Sequence, residues 1–355
     1  MVSSTRKIRV MVVDDSAVAR TFLIKGLSAY PNIEVVGYAI NALDAKAKIP
    51  RLAPDVMTLD VEMPGTNGID FLKQLLPVHS LPVILVSSLN LRVFDALAAG
   101  AVDFVRKPDG TESREAFFQS LAQKIVVASC AKVRRSAPAQ ASAALSAASA
   151  AAPAPLGRSG GVDLDRTIIG LGASTGGTEA TLEVLKRLPA DIPGMVVVQH
   201  MPTGFTKMYA ERLNRLCQME VKEAVSGDEI RRGLVLVAPA DLQARVVRMG
   251  SRYTLSCTPG EKVSGHRPSV DALFSSMASQ VKCHMVGIIL TGMGRDGASG
   301  LLEMRKNGAY TIGQDKESCV VYGMPMVAYD IGAVTVQASC DAIANVLMSH
   351  LKSGK

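Results

Sequence analysis

The chain contains no tryptophan, and aromatic residues make up only 4% of its 355 positions. Platforms on which nucleic-acid bases could stack are therefore poorly supplied. A net charge of +7 hints at an acidic partner, but the basic residues are dispersed, the longest runs being Arg134-Arg135 and Arg231-Arg232. This is the pattern of a mildly basic solvated surface, and no nucleic-acid partner is expected. The six cysteines form neither a C-x-x-C pair nor a His/Cys cluster, which favours buried reduced thiols over disulfides or zinc. No run of about 18 uncharged apolar residues occurs, and the start MVSSTRKIRV lacks a secretory apolar region. The expectation is a cytoplasmic protein without membrane insertion. No G-K-[ST] phosphate loop is present either.

What is present divides in two. The stretch from Ser136 to Gly161 is Ala/Ser/Pro/Gly with almost no large apolar residue, so it cannot bury a core. Domains are accordingly expected at 6–124 and 164–352, joined by a linker over 125–163. In the first, IRVMVVDD, IEVVGYA, PDVMTLD, LPVILVSS and AVDFVRKP read as strands alternating with helical patterns. That order predicts an α/β fold with a five-stranded parallel sheet, whose ligands bind at the carboxyl ends of the strands. Asp14 and Asp15 follow the first run, Asp60 the third, Ser87 ends the fourth and Lys107 follows the fifth. Three carboxylates at one edge repel unless a divalent cation sits among them, and oxygen donors suit Mg²⁺. A hydroxyl and an ammonium opposite them would receive a phosphoryl group.

These residues resemble the pattern of response-regulator receiver domains: Asp14-Asp15, the D-x-x-M-P-G run from Asp60 to Gly65, Ser87, and Lys107-Pro108. The resemblance implies a flavodoxin-like fold and phosphorylation of Asp60. It also implies Mg²⁺ held by the acidic cluster, Asp15 and Asp60 foremost, with the Glu62 backbone carbonyl. Phe104 falls at the aromatic switch position. The domain is an input, and the output lies beyond the linker.

Receivers often drive DNA-binding helices, but a compact helix-turn-helix would be shorter and mostly helical. Here MVVVQ, LVLVAP, MVGIILT and AYTIG read as strands between helical patterns such as TEATLEVLKRL, KMYAERLNRL and VDALFSSMAS, predicting a second doubly wound, mostly parallel α/β domain. At its start lies TIIGLGASTGGTEA. Gly170, Gly172 and Gly176 miss the dinucleotide G-x-G-x-x-G spacing because position 175 is threonine, and the next strand ends in Gln199-His200 rather than an acidic residue. Gly172 to Gly176 instead spell G-x-S-x-G, the spacing of a nucleophile elbow presenting Ser174.

A serine hydroxyl needs a base. His79 lies in the first domain, His350 near an end expected to fray, and His284 at the start of a strand, on the wrong edge. His200 ends MVVVQ on the same edge as Ser174, and is preferred to His266 in the polar loop GHRPSVD. For the third member, Asp296 in LTGMGRDGASG is preferred to Asp241 in VAPAD. The order Ser, His, Asp differs from that of α/β-hydrolases.

With the receiver and linker before them, GASTGGTEA, QHMP-x-GFT, HRPSVD and TGMGRDG, which span almost all of the second domain, resemble the chemotaxis protein-glutamate methylesterase and glutamine deamidase family, CheB. The resemblance implies a triad of Ser174, His200 and Asp296, with an oxyanion site at the backbone of Thr175 and Met293. It implies methyl-accepting chemoreceptors as substrate, a chemotaxis histidine kinase as phosphodonor, and no cofactor in the catalytic domain. A monomer is expected, in which the unphosphorylated receiver restrains the esterase.

Overall fold

A computed structural model of the chain describes residues 6–63, 68–88, 92–108, 110, 113–133 and 161–353. It separates into two compact units, Met1–Ala150 and Ala151–Lys355. In the first unit, strands β1 (Ile8–Val13), β2 (Ile33–Ala39), β3 (Val56–Leu59), β4 (Val83–Ser87) and β5 (Asp103–Arg106) form one sheet in the order β2-β1-β3-β4-β5. Every pairing is parallel, and β3 and the apolar half of β1 are fully buried, as expected when helices cover both faces. Capping residues start the helices where the apolar runs end: Ser16 accepts from the Ala19 N–H, and Ser113 from that of Ala116. The helix Arg114–Ser129 runs past the linker boundary expected at 124, because Ile125, Val127 and Ala128 are buried. The low-complexity residues 134–160 lie outside the described residues.

The second unit is built on β6 (Thr167–Ala173), β7 (Gly194–Gln199), β8 (Glu220–Glu223), β9 (Leu234–Val237), β12 (His284–Ile289), β13 (Tyr310–Gln314) and β14 (Val336–Ala338). Their order is β14-β13-β12-β6-β7-β9-β8, and all neighbours run parallel. Registers of Ile289 with Gly172 and of Ala173 with Gln199 make the three central strands end nearly level. The chain leaves β6 toward β7 on one side, while β12 and β13 lie on the other. Ser174 therefore sits where the winding reverses, the usual place for a ligand in such sheets. A separate antiparallel pair, β10 (Gln243–Met249) and β11 (Arg252–Thr258), packs on the helix Val270–Gln280. Among the described residues no helix is long and apolar enough to cross a membrane.

The C-terminal segment departs from expectation. His350 is 6% exposed in the helix Ile343–Ser353, its ring stacks on Tyr310 at 3.8 Å, and its Nε2 lies 2.8 Å from that of His284. The end does not fray, because Ile343, Leu347 and Leu351 bury an apolar stripe of the helix. The unit's two ends also meet there, the Val162 N–H donating to the Leu351 carbonyl.

Candidate active site

Ser174 follows the last residue of β6, and its backbone is held on both sides. Its N–H donates to Thr291 O at 3.0 Å, and its carbonyl accepts from the Gly177 N–H at 2.7 Å. The Gln199 side-chain amide donates to Ser174 O at 2.9 Å and to His200 O at 3.1 Å, bracing the Ser174 and His200 loops together. Gly176 adopts φ +77, which the turn into the helix Gly177–Leu185 requires and which a side chain would strain. Behind the serine the packing is tight: a Cβ on Gly292 would come within 2.7 Å of Ser174 Cβ and 2.4 Å of Met324 Sδ.

His200 lies just past β7 and Asp296 past β12, so all three groups leave the carboxyl edge of adjacent strands. His200 Nε2 sits 2.8 Å from Asp296 Oδ2. A carboxylate only accepts, so Nε2 carries the hydrogen and Nδ1 keeps the lone pair. Nδ1 is buried and has no hydrogen-bond partner among the described residues.

Asp296 is 1% exposed. Besides His200 it accepts from the Val270 N–H at 2.8 Å, the Asp271 N–H at 2.9 Å and Ser269 Oγ at 2.7 Å. These donors form the N-terminus of the helix Val270–Gln280, whose partial positive charge suits an anion. Burial pushes the Asp296 carboxyl up, but the bond from His200 and these donors outweigh it and hold it below the ordinary aspartate value.

Of the alternatives, Asp241 is spent on Arg267, whose Nε donates to it at 2.9 Å. The ring of His266 stacks on that of His200 with centroids 3.8 Å apart and planes 8° from parallel. Met293 is 44% exposed beside the serine loop, whereas Thr175 is 5% exposed. Sequence reasoning passed over Gln199 and Ser269; the first was visible only as the residue that failed the acidic dinucleotide position.

In the first unit, oxygens of Asp14, Asp15 and Asp60 lie within 4.8 Å of one another. Asp14 and Asp60 are buried and Asp15 is exposed, so this all-oxygen cluster is open to solvent on one side and fits a hard divalent cation. Lys107 Nζ reaches Asp60 Oδ2 at 2.5 Å and Asp14 Oδ2 at 3.2 Å. Burial raises the Asp60 pKa, and the Lys107 bond only partly offsets it. Burial opposes the Lys107 charge, but the two carboxylates outweigh it and raise its pKa. Ser87 Oγ is buried with no hydrogen-bond partner among the described residues. The Phe104 side chain is 2% exposed, packed edge-on against Phe94.

The family profile described as CheB methylesterase matches residues 169–347, and that of the response regulator receiver domain matches 10–117. The chain belongs to the CheB methylesterase family. A protein-glutamate methylesterase/protein-glutamine glutaminase 2 from Syntrophomonas wolfei is 50% identical over 345 residues, spanning 96% of this chain and 97% of that one. A protein-glutamate methylesterase/protein-glutamine glutaminase from Syntrophotalea carbinolica is 47% identical over 349 residues, 96% of each chain. The crystal structure of the Thermotoga maritima CheB methylesterase catalytic domain, 34% identical, superposes with a TM-score of 0.50 over 54% of this chain and 98% of that domain. CheB membership and the presence of a receiver thus agree with the motifs read from the sequence.

Proposed function

We propose that the second unit is a serine hydrolase acting on glutamate γ-methyl esters of methyl-accepting chemoreceptors, with deamidation of receptor glutamines as its second activity. The observation that carries this is the His200–Asp296 pair, which leaves a buried, bare Nδ1 on a loop that Gln199 ties to the Ser174 carbonyl. Nδ1 takes the proton from Ser174 Oγ as the oxygen adds to the ester carbonyl carbon. Asp296 stays ionised, fixes the tautomer and offsets the imidazolium charge. Backbone N–H groups of Thr175 and Met293 receive the oxyanion, each such donor contributing about 2.7–4 kcal/mol. Collapse breaks the carbon–methoxy bond, and methoxide leaves as methanol with the proton from His200. Water, deprotonated by the same nitrogen, then releases Ser174 and a glutamate. With a glutamine side chain the same steps expel ammonia.

The receiver is the control element of this reading, with a cytoplasmic histidine kinase as phosphodonor and Asp60 as acceptor. Asp14, Asp15 and Asp60, with the Glu62 carbonyl, would hold Mg²⁺. When bound it supplies positive charge against the carboxylates and phosphoryl oxygens. Lys107 and Ser87 would contact the phosphoryl group, and Phe104 would report its arrival.

Methanol release from methylated receptor membranes tests the proposal. Full-length protein should turn over, and Ser174→Ala should fall to background. Turnover by the alanine variant would overturn the triad.

A further inference from the structure

We propose that His266 is a positioning residue for the base: its imidazole is a flat platform that fixes the plane of His200 and faces the charge His200 acquires during turnover. The proposal rests on the Ser174–His200–Asp296 reading.

The single hydrogen bond from Nε2 to Asp296 anchors one end of the His200 ring but leaves rotation about that bond free. Such rotation would swing Nδ1 away from the nucleophile. A second ring face-on at 3.8 Å and 8° from parallel removes that freedom. Once Nδ1 takes the serine proton, the imidazolium lies against the π face of the His266 ring, an attractive arrangement absent before transfer. The platform therefore acts on the transition state more than on substrate binding.

His266 is itself held by a rigid frame. Its N–H donates to Val263 O at 2.9 Å, and the Val263 N–H returns to His266 O at 3.1 Å, closing a two-residue turn. Ser264 at φ +50 and Gly265 at φ +83 are the left-handed pair that a type I′ turn demands. The conformation is unfavourable for serine, and Ser264 Oγ offsets it by donating to Asp271 Oδ2 at 2.6 Å. Asp271 Oδ1 accepts from the Gly300 N–H at 2.8 Å. Gln243, fully buried, donates to the carbonyls of His266 and Glu261 at 3.0 Å each and accepts from the Ser269 N–H at 3.0 Å. Ser269 in turn donates to Asp296. One polar network thus sets both the end and the face of the base.

The test uses full-length protein with Mg²⁺ and a small-molecule phosphodonor. Two rates are read: methanol release from methylated receptor membranes, and labelling of Ser174 by a fluorophosphonate. His266→Ala should lower kcat about tenfold with KM within about twofold, and slow labelling by a similar factor. His266→Phe, which keeps a flat ring, should recover both rates to within about threefold. Should the alanine variant not fold, His266→Gln against His266→Phe makes the same comparison. Unimpaired His266→Ala, a rise in KM with labelling unchanged, or His266→Phe as slow as His266→Ala each overturns the platform. A His200→Ala variant run alongside separates the two readings. If it still turns over, the triad falls and the platform with it; if it is inactive while His266→Ala is unimpaired, only the platform falls.

Discussion

At Asp296 four donors converge on one carboxylate, and a neutral amide of the same shape cannot replace it. Whichever way an asparagine is turned, its NH₂ faces a donor: Ser269 Oγ and the Asp271 N–H on one side, His200 and the Val270 N–H on the other. Asp296→Asn should therefore flip the His200 tautomer and lower kcat about 10⁴-fold, read in the methanol assay. It should also cost about 1–3 kcal/mol of stability, read by urea unfolding. The folded carboxyl titrates below its ordinary value, so its stabilisation is complete above the unfolded aspartate pKa of about 3.9 and is lost as pH falls through the folded one. The stability gap between wild type and Asp296→Asn should hold constant above about pH 5 and narrow toward pH 3. A gap that widens in acid would contradict the assignment. The strand-end positions of Ser174, His200 and Asp296 were legible because each follows an apolar run, so the end of a strand could be read directly. Gln199, Ser269 and Gln243 were not, since a buried amide or hydroxyl has no marker apart from the partner it finds in the fold.

Legibility at the scale of elements follows burial. The central strands are continuous apolar runs and stand out, whereas β8 reads Glu-Val-Lys-Glu, an edge strand whose charges hide it. The pair β10 and β11 alternates polar and apolar residues around Gly250-Ser251, a period-2 signal shorter and weaker than its parallel neighbours. The C-terminal helix was the clearest miss, because its partner is an imidazole 66 residues away. Burial, and then the His350 charge, hold the His284 pKa below the ordinary histidine value. The folded state then binds fewer protons than the unfolded chain, so stability is intact above about pH 6.5 and is lost as pH falls through the folded pKa. The urea midpoint of the catalytic unit should drop between pH 7.5 and 5, and His284→Phe should flatten that slope. An unchanged slope would dissociate the pair from acid sensitivity.

At the scale of the molecule, two α/β units and the composition shift between them were apparent from the sequence, while the extent of the helix Arg114–Ser129 was not, since its last turn is apolar without a Gly or Pro stop. Two parallel sheets carry different groups at the same edge: an acidic cluster in one, a serine beside a histidine–aspartate pair in the other. If the receiver controls the esterase, a small-molecule phosphodonor with Mg²⁺ should raise methanol release by the wild-type chain several-fold and leave Asp60→Asn at its basal rate. Equal stimulation of both would remove Asp60 from the control.

The bond between Val162 and Leu351 has a consequence for how the two units could be rewired. Entry and exit of the catalytic unit are neighbours, so the fold is indifferent to which of them carries the receiver. A rearranged gene that moves the receiver to the far end of the chain, on a spacer of the same length, would tether it from nearly the same point in space. Gene order and tether point are thereby separable in this architecture.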